Sequence, residues 1–248
     1  STPKPSSAAS DVYKRQDSGG SIGFSDEALI VTGSLKYDLQ GVEQPAERNE
    51  FREMIKAFGP GRPVVLAAST HAGEERLIAE AIRKVPGALP VILPRHAARR
   101  GAARADLEDA GFEVILRSNF IPPQSPESAV LLVDSTGELR DWTAHADVVV
   151  IGKSFLGRGG QNPVEAIAAG VPVICGPHMG NFEPLITDLR AEEAVESVRQ
   201  TDLVMGLRAV LDSESRRRMM TKAATSVLDE HWGATDRIID RLRKLTDS

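Results

Sequence analysis

The chain has 248 residues, of which 41% are hydrophobic and 4% aromatic, with a formal net charge of −5 and a pI near 5.6. That balance excludes a general electrostatic footprint for nucleic acid, and so few aromatics argue against a base-stacking single-strand binder. No apolar run is long enough to span a bilayer; the single cysteine, Cys175, rules out an intramolecular disulfide and a cysteine-based zinc cluster, which fits a reducing cytoplasm.

Residues 1–23 follow neither helical nor strand periodicity and are rich in Ser, Gly and Pro. They hold no continuous apolar segment and so do not read as a secretory signal. The run Ser6–Gln16 (SSAASDVYKRQ) reads as a translated adapter or assembly scar. Residues 1–23 are therefore expected to be a disordered or non-native tail, and the chain a carboxy-terminal fragment of a longer protein. Residues 24–61 read as a linker and a first helix. Ala28–Thr32 is a short extended run entering a turn at Gly33, and Glu47–Phe58 places Phe51, Ile55 and Phe58 on one helical face before Gly59-Pro60-Gly61.

Residues 62–248 then repeat one grammar. Pro63–Ala68, Leu89–Leu93, Phe112–Leu116, Ala129–Val133, Val148–Ile151 and Val171–Ile174 are solid apolar runs, the pattern of strands buried on both faces. Helices are predicted over Glu74–Val85 and Ala98–Ala110, in a short piece ending at His145, and after Asn162. Ala194–Val198 reads as a last strand and Thr201 as the cap of a helix running to Leu211. Glu214–Glu230 and Ala234–Leu245 close the chain as two helices separated by Gly233. The alternation predicts an α/β fold, a doubly wound and mainly parallel sheet followed by C-terminal helices.

Open sheets of this kind bind ligands beyond the carboxyl ends of their strands. Ser69-Thr70-His71, Pro94-Arg95-His96, Asp134–Glu138, Lys153–Asn162 and Gly176–Asn181 fall there. Turns need glycine and polar residues; they do not need an arginine and three histidines. The strongest local pattern is Gly159-Gly160-Gln161-Asn162-Pro163-Val164-Glu165. Asn162 suits an N-cap, Pro163 the first helical position and Glu165 a capping box, all of which a well-made short helix explains. Gly159 and Gly160 are left over, and bare backbone there lets a phosphate approach a helix N-terminus. Glu165 either caps or accepts hydrogen bonds from a ribose diol. Arg95, behind a stiffening proline at a strand end, suits a phosphate. His71, His96 and His178 match no metal-ligand spacing. The chain holds no Gly-x-Ser-x-Gly elbow, no Walker loop and no Gly-x-Gly-x-x-Gly after the first strand. Cys175, inside the apolar run VPVICG, reads as a core residue.

Six stretches in order carry a family resemblance: VTGSLKYD (Val31–Asp38), AASTHAGEE (Ala67–Glu75), PRH (Pro94–His96), DSTGEL (Asp134–Leu139), GRGGQNPVEA (Gly157–Ala166) and GPHMGNF (Gly176–Phe182). Together they resemble the 3-deoxy-D-manno-octulosonic acid (Kdo) transferases of lipopolysaccharide synthesis. The resemblance implies a GT-B glycosyltransferase, two Rossmann-like domains across a cleft, of which this chain is the carboxy-terminal, donor-binding one. It implies Pro94 and Arg95 beside the nucleotide and phosphate of the donor CMP-Kdo, with Arg95 stabilising the leaving phosphate. Gly137, Glu138 and Leu139 would give backbone contacts to the nucleotide. Gly159, Gly160 and Asn162 would border the phosphate and Glu165 the ribose, with Ser69 and Thr70 lining the same cleft. Gln161 departs from the family, where histidine is common, and so does Arg140, where a small residue is.

The same resemblance implies an inverting, metal-independent transfer of Kdo to a lipid A precursor without a cofactor. The general base, the acceptor site and membrane contact would lie in an amino-terminal domain absent from this chain, and the parent enzyme at the cytoplasmic face of the bacterial inner membrane. Two other readings stay open: a GT-B enzyme or epimerase using a UDP-sugar, and a catalytically incomplete nucleotide-binding module.

Overall fold

The computed structural model describes residues 37–38, 45–231 and 233–246. The expected tail at 1–23, the extended run Ala28–Thr32, the turn at Gly33 and most of Val31–Asp38 lie outside them. Residues Gln44–Thr225 form one compact unit, and Ser1–Glu43 with Ser226–Ser248 a second.

In the larger unit, α1 (Asn49–Ala57) buries Phe51, which stacks on Trp142 with ring centroids 3.9 Å apart. The chain then alternates β1 (Val64–Thr70), α2 (Glu74–Arg83), β2 (Leu89–Pro94), α3 (Arg100–Asp109), β3 (Glu113–Leu116), β4 (Ala129–Leu132), α4 (Leu139–Thr143), β5 (Val148–Ile151), α5 (Val164–Ala168), β6 (Val173–Cys175), α6 (Leu185–Ala191), β7 (Glu196–Ser197) and α7 (Leu203–Leu211). The seven strands make one sheet in the order β3-β4-β2-β1-β5-β6-β7, and every pairing is parallel. This is the expected α/β architecture. From β1 the chain moves to β2 on one side and later returns to β5 on the other. The carboxyl ends of β1 and β5 therefore flank the point where strand order reverses, the usual ligand crevice of such sheets.

The solid apolar runs are buried on both faces: all seven residues of β1 and all four of β5 are covered. One face packs Val65, Ala67, Ile92, Val130, Leu132, Val148, Val150 and Ile174 against Ile78 and Ile82 of α2, Leu107 of α3 and Leu203 and Leu207 of α7. On the other, α4 lies against β1 and α5 against α4.

Several expectations need correction. β1 runs two residues past Ala68, through an irregularity at Ser69, whose φ of +56° is left-handed. The helix expected from Ala98 opens as a 3-10 turn, Ala97–Arg99, before α3. Helix α6, which buries Leu185, Ile186 and Leu189, is not foreseen, because seven residues are too few to display a period. Thr201 is not a cap; it sits inside a 3-10 turn, Gln200–Asp202, and α7 starts at Leu203 behind Asp202.

The smaller unit contains the end of α8 (Glu214–His231) and α9 (Ala234–Thr246). There the Thr235 amide donates to the Asp38 carboxylate at 2.7 Å. No helix among the described residues is long and apolar enough to cross a membrane.

Candidate functional site

At the switch point the ends of β1 and β5 touch through backbone. Gly152 donates its amide to Ala68 O at 2.8 Å, and a Cβ at Gly152 would stand 2.3 Å from Ser69 O. Pro94 pairs in register with Thr70, and the Arg95 amide donates to Thr70 O at 3.0 Å, so the β2 end is held to the β1 end. Ser69, Thr70 and Pro94 are buried. The Thr70 hydroxyl sits beside the buried Glu75 carboxyl without reaching hydrogen-bond geometry. Burial raises the Glu75 pKa, against the pull of Arg99 at 3.3 Å. Arg95 is exposed, and no carboxylate pairs with its guanidinium among the described residues.

A ring of basic and amide groups surrounds this edge. Gln161 Nε2 lies 3.0 Å from His71 Nε2, and the His71 and His96 rings meet edge-on with centroids 5.9 Å apart. Burial lowers the His71 pKa most; Glu74 opposes it, while Lys153, His96 and Arg99 add to it. Burial thus shifts His71 toward its uncharged, hydrogen-bonding form, with the Lys153 side chain close by.

Glu74, which the sequence shows only as an acid in a first helical turn, organises the β5–α5 loop. It is fully buried. Its carboxylate accepts from the amides of His71 (3.1 Å), Lys153 (2.5 Å), Phe155 (3.0 Å) and Leu156 (3.3 Å). Ser154 links the next strand end, donating to Ile151 O at 2.6 Å and accepting from the Gly176 amide at 2.8 Å.

The glycine pair beyond has an internal cause. Gly159 and Gly160 adopt φ of +104° and +72°, and a Cβ at either would stand 2.4 Å from the Asn181 side chain or 2.3 Å from Met179 Sδ. Their bareness is thus already required by packing. Two amides in this loop are already used, Gly160 N on Lys153 O (3.0 Å) and Gln161 N on Gly152 O (3.1 Å). Helix α5 starts one residue later than expected: Pro163 occupies the cap position, and Asn162 Oδ1 accepts from Val164 N at 3.0 Å. Glu165 makes no capping hydrogen bond; its half-buried carboxylate is unpaired among the described residues, and so are the amides of Glu165 and Ala166.

The β4–α4 turn presents backbone because its acid faces inward. Gly137 takes φ of +77° with open space around it. The Glu138 carboxylate accepts from the Ser135 hydroxyl and pairs with Arg117 at 3.0 Å and Arg48 at 3.3 Å. Burial pushes its pKa up, but the Ser135 hydrogen bond and Arg117 outweigh it and hold the carboxyl below the usual range. Leu139 opens α4, and Arg100 ties the turn to α3 by donating to Ser135 O at 2.6 Å. The sequence-chosen residues thus share one sheet edge. Glu74, Ser154 and Arg117 are additions to it. Among the described residues no group of three or more His, Cys, Asp or Glu could hold a metal ion. Cys175 is buried, with burial pushing its thiol up to about 11, consistent with a core role.

The family of group 1 glycosyl transferases matches residues 127–227. A 3-deoxy-D-manno-octulosonic acid transferase from Bordetella pertussis is 38% identical over 229 residues, covering 87% of this chain and 51% of its own. Its counterpart from Haemophilus influenzae is 34% identical over 230 residues, covering 90% and 53%. The chain therefore spans about half the length of these relatives. Among solved structures, the C-terminal CMP-Kdo binding domain of WaaA from Acinetobacter baumannii superposes with a TM-score of 0.63 at 28% identity, covering 73% of this chain and 96% of that domain.

Proposed function

Because the chain belongs to the 3-deoxy-D-manno-octulosonic acid transferase family, whose carboxy-terminal half it matches, we propose that it binds CMP-Kdo as the donor half of a GT-B glycosyltransferase. The observation that carries this reading is the unpaired Arg95 guanidinium at the edge where the strand order reverses, in a chain whose net charge is −5. A cation left without a carboxylate there calls for an anionic ligand.

Transfer breaks the bond between the anomeric carbon of Kdo and the CMP phosphate while an acceptor hydroxyl bonds to that carbon from the opposite face. Negative charge grows on the departing phosphate. Arg95, with Lys153 and Arg158 and the unpaired amides at the start of α5, stabilises it without a metal. The glycine loop shapes that wall through Gly159, Gly160 and Asn162. Glu165, free of a capping role, accepts from the ribose diol. The backbone of Gly137, Glu138 and Leu139 borders the nucleotide, and Ser69, Thr70 and Pro94 form the floor. The acceptor, a lipid A precursor, and the base that takes its proton belong to an amino-terminal half, which also makes the membrane contact.

The test is transfer in the enzyme with both halves present. Arg95→Ala and Glu165→Ala should lower donor use by on the order of 100-fold while folding stays intact; wild-type kinetics in both would refute the assignment. The 248-residue chain alone should transfer nothing, and measurable transfer by it to a lipid A precursor would overturn the division of labour.

A further inference from the structure

We propose that Glu74 is a positioning residue for the donor site, its carboxylate locking the β1–α2 and β5–α5 loops into one body. The inference rests on the donor-binding reading above and adds a residue to it. An acid that merely complemented a helix dipole would sit in solvent. Glu74 instead is fully buried, and each of its oxygens accepts two backbone amides. Oε2 takes His71 N and Lys153 N; Oε1 takes Phe155 N and Leu156 N.

The geometry explains why a carboxylate is needed. Lys153 adopts φ of +57°, and such a left-handed residue turns nearby amides toward a common point, a concavity that favours an anion. Elsewhere that anion is a ligand. Here it comes from the chain itself, 79 residues before Lys153 in sequence. The clamp passes its geometry outward. Lys153 O and Gly152 O accept the amides of Gly160 and Gln161, at 3.0 and 3.1 Å, and Ser154 O accepts that of His178 at 3.1 Å. The glycine loop and the β6 end are thus built on a segment whose shape one carboxylate sets. It also holds the backbones of His71 and Lys153, so their side chains are placed relative to each other and to Arg95.

Glu74→Gln keeps the shape and removes the chemistry. A carboxamide offers one acceptor oxygen, and its NH2 would face amide N–H groups, donor against donor. The experiment is amide hydrogen exchange, read by NMR on the 248-residue chain, together with calorimetric titration of CMP. In the wild type, the Lys153, Phe155 and Leu156 amides should exchange slowly, near the rate of the β1 and β5 ladder. In the variant they should exchange roughly 10- to 100-fold faster, and CMP affinity should fall about 10-fold or more, with ladder protection retained.

Random-coil exchange of those three amides in the wild type would overturn the proposal, and this arm needs no variant to fold. A folded variant that loses protection but keeps CMP affinity would also overturn it, reducing Glu74 to a structural group. If the wild type binds no CMP, the donor-binding reading fails, and the exchange arm still decides whether Glu74 clamps the loops.

Discussion

Replacing Gly152 with alanine should destabilise the fold by about 1.5–4.5 kcal/mol. The added Cβ would stand 2.3 Å from Ser69 O and 2.6 Å from Thr70 Cα. Both are backbone atoms, so no side chain can swing aside. The ends of β1 and β5 must part, an overpacking cost of roughly 1–3 kcal/mol. The hydrogen bond from Gly152 N to Ala68 O, now 2.8 Å, goes with the contact, at about 0.5–1.5 kcal/mol. Gly101 supplies the control. It is the second residue of α3, with no left-handed φ and nothing beyond its chain neighbours and its own helix backbone within 4 Å of where an alanine methyl would stand, so Gly101→Ala should stabilise by anything from nothing to roughly 1 kcal/mol. Urea titrations of both variants beside wild type, followed by far-ultraviolet circular dichroism, measure the two differences. A Gly152→Ala protein within about 0.5 kcal/mol of wild type would refute direct packing of the two strand ends, and with it the location of the crevice.

Arg95→Ala should weaken CMP binding by about 10- to 100-fold, the worth of one charge-assisted hydrogen bond, and leave the melting temperature unchanged because the side chain is exposed and unpaired; calorimetry and a thermal scan read both. Glu165→Gln should reduce the preference for CMP over its 2′,3′-dideoxy analogue, and an undiminished preference would remove Glu165 from the ribose. Acid stability reports on Glu138. Its folded-state carboxyl is held below the ordinary value of 4.5, so its contribution is complete above that value and is lost as pH falls through the lower folded value. Urea midpoints measured from about pH 6 down to about pH 3 should therefore decline less steeply in Glu138→Gln than in wild type below about pH 4.5, and equal slopes there would contradict the Arg117–Glu138–Ser135 network. Cys175, buried with its thiol pushed up to about 11, should resist thiol reagents in the native state and react once urea unfolds the chain.

Much of this architecture is legible in the sequence, for identifiable reasons. Runs such as Val64–Ala68 and Val148–Ile151 are apolar throughout because both faces of a parallel strand are covered, so strand positions and the sheet edge carrying Arg95 and Glu165 can be read directly. Effects that act across the fold cannot. Glu74 looks like any acid in a first helical turn, and only the juxtaposition of β1 with β5 brings Lys153, Phe155 and Leu156 around it. Gly159 and Gly160 invite a ligand explanation because Asn181 and Met179, which need their space, lie some twenty residues further along the chain. Glu138 sits in the DSTGEL stretch as a candidate polar contact, yet Arg48 and Arg117 from other elements turn its side chain inward and leave the backbone outward.

The central claim is that this sheet edge holds the CMP portion of a CMP-linked sugar donor. Its most direct test is calorimetric titration of the 248-residue chain with CMP and, separately, with UDP. Saturable, one-to-one binding of CMP is expected, with weaker binding of UDP and with CMP affinity lowered about 10- to 100-fold in Arg95→Ala. Absence of CMP binding by a folded chain, or UDP bound as tightly as CMP, would contradict it.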